Sequence, residues 1–430
     1  MSRTSALTVA LLAAALAPAG AWADGAFPDS FGIFAPSDQP QRLILSTNFG
    51  MIISEDNGAT WYLVCENAEN SPYASLYALG PPPADRIGVV SQVGLAISSD
   101  DACTWTTADG GVGNTYVEDF FFDPSDPNHA LAIATAPNPD GGPEGTALFQ
   151  SHNGGLTFDT APIFQPPTGV GVLSMEISRS SPQTIYIALF ESSPDRRALL
   201  GRSDDSGGTW QQFDVSGGAI GTKSVRIAAV DPNDATRVYL RVADSTAGQD
   251  ALAIVTDGGA SVTVPLQLQY PMSGFLHRSN GELLVTTLQQ GSFRSVDQGQ
   301  SFQPWEANLH LRGLTERGST LFLVGDNFAD NFAVAQSSDD GNTLTPLLQF
   351  DRICGLKACG NIASLCQATW SQLAQTLTIP DNACAAPPPT KGCGCAADAG
   401  VPLALMAALL LRLRRARRRG SDSAAPARHR

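Results

Sequence analysis

The sequence predicts an all-β chain: a seven-bladed β-propeller of four-stranded blades, plus a small Cys-rich helical appendage and a C-terminal transmembrane segment. Three observations predict it. A phrase of the form S-x-D-x-G-x-T-W recurs seven times. Its copies start at residues 54, 98, 151, 203, 255, 295 and 337, close to one four-stranded blade apart. Each interval holds strand-like runs divided by turn signals, as in VEDFFFDPSDPNHALAIAT, where the loop 123–128 separates two β-rich runs.

The best copies are Ser54 to Trp61 and Ser203 to Trp210. Ser98 to Trp105 has Ala102 in place of the glycine, and Ser151 to Phe158 has Asn153 in place of the aspartate. Ser295 to Phe302 and Ser337 to Leu344 keep serine, aspartate and glycine, while Val255 to Val262 keeps only Asp257, Gly259 and Ser261. The phrase makes sense as a hairpin turn. Asp56, Asp100, Asn153, Asp205, Asp257, Asp297 and Asp339 are placed to accept hydrogen bonds from backbone N–H groups two residues on. The glycine supplies a positive φ, and the last aromatic starts the outgoing strand with its ring between blades. A structural turn is the expected role, rather than seven calcium or sugar sites.

These phrases resemble Asp-boxes, the BNR-type repeats of sialidases, sortilin-like receptors, xyloglucanase-type glycosidases and photosystem assembly factors. The resemblance covers roughly residues 30–350 and implies the propeller, placed at 27–350, without choosing among those activities.

The two ends carry other signals. Residues 1–23 read as a signal peptide: Arg3 is the positive n-region, Ala6 to Ala17 the apolar run and Ala21-Trp22-Ala23 the cleavage site. A buried N-terminal helix is the alternative. At the other end a Pro/Gly/Cys linker (386–395) precedes an apolar stretch (396–413) and an Arg-rich tail (414–430). That stretch is short for a span, and the arginines behind it would stay cytoplasmic, leaving the rest outside. A stop-transfer flank explains those arginines better than nucleic acid does.

Gly392-Cys393-Gly394-Cys395, the apolar stretch and the arginine cluster together resemble the MYXO-CTERM sorting signal of myxobacterial exported proteins. That resemblance implies a sorting protease, processing or lipid attachment at Cys393 or Cys395, and an exported protein held at the cell envelope or outer surface.

Charge agrees with a two-part chain. The whole carries −15, from 26 basic and 41 acidic residues. Setting aside Arg3, the tail arginines, Asp398 and Asp422 leaves a still more acidic remainder. Such a surface disfavours nucleic acid and anionic lipid, and favours cations or basic partners.

Cys65, Cys103, Cys354, Cys359, Cys366 and Cys384 form an even set suited to disulfides in an oxidising compartment. Cys65 follows the first phrase and Cys103 lies within the second, so a Cys65–Cys103 bond between adjacent blades is expected. The other four fall in the appendage (351–385), around a short amphipathic helix in ASLCQATWSQLAQTL, with the pairing left open among three possibilities. A metal reading of CGLKAC lacks a nearby histidine, and no metal or cofactor is expected.

For chemistry, a glycosidase needs two carboxylates facing across a cleft. Glu118, Asp119 and Glu176 fall in inner-strand windows, with Arg226 and Arg312 as anion clamps. The sialidase resemblance would also imply an F-R-I-P motif, and beyond the expected signal peptide only Arg42 precedes the first phrase. His129, His152, His277, His310 and His429 fit no nucleophile-elbow or zinc spacing, and His129 and His152 are expected to be solvated turn residues.

The remaining signal is loop length. Residues 136–146, 191–197 and 243–250 form long loops between second and third strands in consecutive blades, opposite the repeated turns. They carry Asp140, Glu144, Glu191, Asp195, Asp244 and Asp250 beside Arg196 and Arg197, and long loops on a rigid scaffold are where binding concentrates. The expected function is therefore a surface-anchored binding or scaffold module for a protein or glycan ligand. The alternative is a secreted sialidase-like or xyloglucanase-like hydrolase using channel carboxylates.

Overall fold

A computed structural model describes residues 28–384, apart from 75, 83–85, 139, 193–194, 290 and 382. The expected signal peptide, linker, membrane segment and tail lie outside the described residues. Among those described, no helix is long and apolar enough to cross a membrane.

The chain forms seven antiparallel sheets in sequence order, each begun by an inner strand. The inner strands are Ser30–Phe34, Leu76–Leu79, Val117–Phe122, Val170–Ile177, Ser224–Val230, Met272–His277 and Gly313–Arg317. Inner strands of successive blades from two to seven pack together, blades one and two share a core cluster, and the inner strand of blade seven packs on that of blade one, closing a seven-bladed propeller. Blade three gains a fifth, parallel strand from the incoming connection, Asp109–Gly110 beside Thr157–Phe158.

Burial explains the strand sequences. Each sheet is covered on both faces by its neighbours, so middle strands such as Leu43–Thr47 and Gly94–Ser98 are buried at every position. They read as continuous runs instead of alternating ones. The core is accordingly divided into clusters between blades, for example Val90 with Phe120 between blades two and three, and Leu252 with Met272 between blades five and six.

The repeated turns close the third and fourth strands of every blade. In blade four Ser203 Oγ donates to Asp205 Oδ1 (2.8 Å) and accepts the Gly207 N–H (2.8 Å). Asp205 accepts the Thr209 N–H (2.7 Å) and hydroxyl (2.8 Å). Asp56, Asp100, Asn153, Asp297 and Asp339 likewise accept an N–H four residues on. This corrects the two-residue expectation: two consecutive left-handed residues intervene and lengthen the turn, as at Ser206 and Gly207 with φ 57° and 91°. The turn of blade five lacks the serine and differs in backbone: Asp257, Gly258 and Gly259 are all left-handed, at φ 54°, 68° and 131°, in a short 3-10 turn.

The turn glycine also lets blades approach. A Cβ on Gly207 would meet Ile163 of blade three at 2.9 Å, and one on Gly341 would meet Trp305 of blade six at 2.8 Å. Each turn therefore rests on the blade before it. Trp61 and Trp210 lock the turn from the far side, donating indole N–H groups to Gly58 O (3.0 Å) and Gly207 O (3.1 Å).

The expected Cys65–Cys103 bond is not formed. Cys65 is bonded to Cys366 and Cys103 to Cys359, with Cα separations of 5.6 and 5.4 Å. Only Cys354–Cys384 lies within the appendage. The reason is tertiary: after blade seven the chain returns to blade one and lies along its outer strand. Cys354 N–H donates to Trp61 O (2.7 Å), Leu63 N–H to Gly355 O (2.8 Å) and Lys357 N–H to Leu63 O (2.9 Å). The helix α1 (Ile362–Thr376) then places Cys366 against Cys65.

Candidate functional site

The propeller has two faces. The upper face carries the turns between second and third strands and the connections between blades. The lower face carries the loops between first and second strands and the repeated S-x-D turns. A central channel lined by inner strands joins the two.

The inner strands of blades one, three, four, five and six are interrupted by bulges at Phe31, Glu118, Leu173, Ala228 and Ser273. A bulge re-aims a side chain. Glu118 is such a residue, and its carboxylate forms an ion pair with the guanidinium of Arg226 from two blades away. Arg226 Nη1 also donates to Leu173 O (2.6 Å), so this arginine spans blades three, four and five near the upper mouth. Tyr116 joins the group: burial, then its hydrogen bond to Glu118, push its phenol above the usual range. Sequence reasoning missed Tyr116, although its place two residues before Glu118 was a usable signal in an extended segment.

Asp119 and Glu176 lie deeper, lining one cavity of about 590 Å³ with Arg179, Glu316, Phe120 and Met175. Asp119 accepts the Met175 N–H (3.0 Å) and Phe120 N–H (2.9 Å), stitching blade three to blade four. Burial raises its carboxyl to about 7 despite those bonds. Glu176 is also raised to about 7, mainly by burial, with the charge of Asp119 adding to it. Both side chains are half-buried. The cavity thus holds two carboxyls that burial raises well above the usual carboxylate range.

Arg312 is not an open anion clamp. It sits one residue before its inner strand, and Nε donates to both carboxylate oxygens of Asp29 (3.1 and 3.0 Å). Its other nitrogens donate to Leu288 O (2.6 Å) and Asp326 Oδ2 (2.7 Å). It therefore latches blade seven to blade one, a role invisible without the ring closure.

The expected long loops of blades three and four lie on the upper face at 137–144 and 192–197. That of blade five is only a four-residue turn, 245–248, because its strands run on to Asp244 and from Gln249. Blade seven instead carries a nine-residue loop, 325–333, and most of the acids are engaged locally. Asp140 accepts the Thr168 hydroxyl at 2.5 Å, tying the blade-three loop to the connection entering blade four. Glu191 pairs with Arg197 (2.6 Å), and Asp244 accepts the N–H groups of Thr246 (3.1 Å) and Ala247 (3.0 Å). Asp250 is buried and pairs with Arg241 (2.6 Å). Asp195 and Glu144 point outward and are exposed.

His129 departs from expectation. It is mostly buried and hydrogen-bonded to Asp123 (2.8 Å), because the DPSDPN loop folds back on it, whereas His152 is exposed. A second cavity, of about 520 Å³, lies at the lower edge of blades one and two against the appendage, lined by Asp56, Asp100, Asp101 and Lys357. Among the described residues, no group of three or more histidines, cysteines or acids could hold a metal ion.

No known family profile matches the chain, and no curated protein matches it. Solved structures do. A puromycin-hydrolyzing peptidase of Mycobacterium tuberculosis is 14% identical with a TM-score of 0.50, covering 76% of this chain and 54% of its own. YCF48 from Cyanidioschyzon merolae is 13% identical with a TM-score of 0.47, covering 69% of this chain and 93% of its own. An ancestral GH74 enzyme is 12% identical with a TM-score of 0.35, covering 74% and 61%. This chain thus spans little more than half of the peptidase it resembles. At such identities the likeness is one of fold, and the fold is a β-propeller.

Proposed function

We propose that this chain is an exported, surface-anchored Asp-box propeller that acts as a binding or scaffold module for a protein or glycan ligand. One observation carries the binding role: the upper-face loops 137–144, 192–197 and 325–333 are long, yet stiffened by hydrogen bonds at Asp140, Glu191 and Asp326. Pre-ordered loops bind without a large ordering cost. The Asp-box assignment is supported by the serine–aspartate–glycine bonding of the turns. Purified full-length protein screened on glycan and peptide arrays and against chromogenic glycosides tests the role. Saturable binding without turnover is expected, and steady glycoside turnover would sink it.

The hydrolase reading has its own support in Asp119 and Glu176, which share one cavity and titrate near neutrality, as a general acid must. If it holds, Glu176→Gln removes turnover while the fold is retained.

Anchoring rests on Cys393, Cys395, the apolar stretch and the arginines behind it. Replacing both cysteines by serine is expected to release the protein from the cell surface, and the wild-type mature mass is expected to lack the arginine tail. Unchanged surface retention with an intact Arg430 would leave a plain membrane span.

A further inference from the structure

Nine large hydrophobic side chains are exposed among the described residues, and six of them lie on the upper face: Phe31, Tyr73, Val93, Tyr116, Leu288 and Phe328. Leu288 follows the second strand of blade six, and Phe328 lies in the corresponding loop of blade seven. Phe31 opens the inner strand of blade one, Tyr73 and Val93 belong to blade two, and Tyr116 enters blade three. They therefore form an arc over blades six, seven, one, two and three, and the upper-face turns of blades four and five complete the circle.

The arc is built, and Arg312 is its hub. Its guanidinium holds the carbonyl of Leu288, the carboxylate of Asp29 two residues before Phe31, and the carboxylate of Asp326. Asp326 in turn accepts the Phe328 N–H at 3.0 Å. One largely buried cation thereby ties together the segments that carry three of these apolar residues, from three blades. Singly scattered exposed hydrophobics need no explanation, whereas six on one face, three of them on segments tied by one arginine, mark an interaction surface.

We propose that this upper face docks a segment of a partner protein that presents apolar side chains next to lysine or arginine. This rests on the binding-module reading and specifies its ligand. Two features choose a protein over a glycan. Val93 and Leu288 are aliphatic and offer a sugar ring no aromatic face to stack on, whereas a mixed aliphatic and aromatic centre with a charged rim is the composition of protein interfaces. The rim exposes Glu144 and Asp195, with Arg196 beside the latter, and the chain carries −15 overall, so basic residues are the complement.

The test pans a random phage-displayed peptide library on immobilised full-length protein and titrates the enriched peptides against Leu288→Asp and Phe328→Asp. Val296→Asp is the control, because Val296 is 73% exposed on a lower-face turn. Thermal melts confirm that all three variants fold. The expected result is enrichment of peptides combining Lys or Arg with Leu, Ile or Phe. Their binding should weaken at least about tenfold in each upper-face variant, weaken with salt, and stay unchanged in the control. Peptides indifferent to both upper-face variants, or no enrichment at all, would overturn the proposal. So would a dimer that Leu288→Asp dissociates, since the occupant would then be a second copy. Glycan-array binding lost in the same variants would overturn the peptide ligand but keep the binding module, whereas glycoside turnover would overturn the module itself.

Discussion

Cys65, on the outer strand of blade one, is bonded to Cys366 in helix α1, 301 residues further along the chain. The bond fastens the returning segment to the blade whose edge it covers, and Cys103–Cys359 fastens the same segment to blade two. Non-reducing peptide mapping should recover the Cys65–Cys366 and Cys103–Cys359 pairs and no Cys65–Cys103 peptide. Replacing Cys65 and Cys366 by serine should cost about 2–4 kcal/mol in urea unfolding, since the crosslink closes a very long loop.

Turn glycines pressed against the preceding blade should tolerate a side chain poorly, although Ala102 fills the equivalent place in blade two. Gly207→Ala adds a Cβ at φ 91° and drives it to 2.9 Å from Ile163. The combined strain and overpacking should lower stability by roughly 1–3 kcal/mol. Gly217→Ala, where nothing lies within 4 Å of the added Cβ, should change little. Paired denaturation curves check both.

Removing the blade-seven latch should loosen ring closure. Arg312→Ala strands Asp29 and Asp326 without their shared cation and should cost roughly 1–3 kcal/mol. Arg312→Lys should recover little, because one ammonium cannot serve the four acceptors that a planar fork reaches. Hydrogen exchange is the sharper readout: protection should fall first in the inner strands of blades one and seven.

Stability should peak on the acid side of neutrality. Burial raises Glu69 to about 8, and raises Asp119 and Glu176 to about 7. These groups hold protons in the folded state that the unfolded chain has lost, so their contribution is full below about pH 4 and falls as pH climbs towards 7–8. Each unmatched proton gives a slope of about 1.4 kcal/mol per pH unit. The turn aspartates act oppositely. The Ser301 hydroxyl, the Ser301 N–H and the Ser295 hydroxyl hold Asp297 at about 2, so its contribution is present above about pH 4 and lost as pH falls towards 2. Melting temperatures across pH should therefore be highest near about pH 4–5. Glu69→Gln should flatten the decline on the neutral side, and an unchanged decline would remove Glu69 from the account.

The sequence by itself determined the blades. A turn that needs serine, aspartate and glycine at fixed offsets is a local device, so Ser203, Asp205 and Gly207 announce it without reference to any other blade, and its spacing counts the units. It also determined helix α1 and placed Glu118, Asp119, Glu176 and Arg226 on inner strands, since strand order follows from the repeat. What only the tertiary structure decided is everything that depends on ring closure. Cys65 and Cys366 meet because the last segment returns to the first blade. Arg312 is a latch because Asp29 arrives from the opposite end of the chain, and Phe31, Leu288 and Phe328 become neighbours for the same reason. Local patterns encode turns and strands, whereas contacts between residues hundreds of positions apart exist only once the circle is shut.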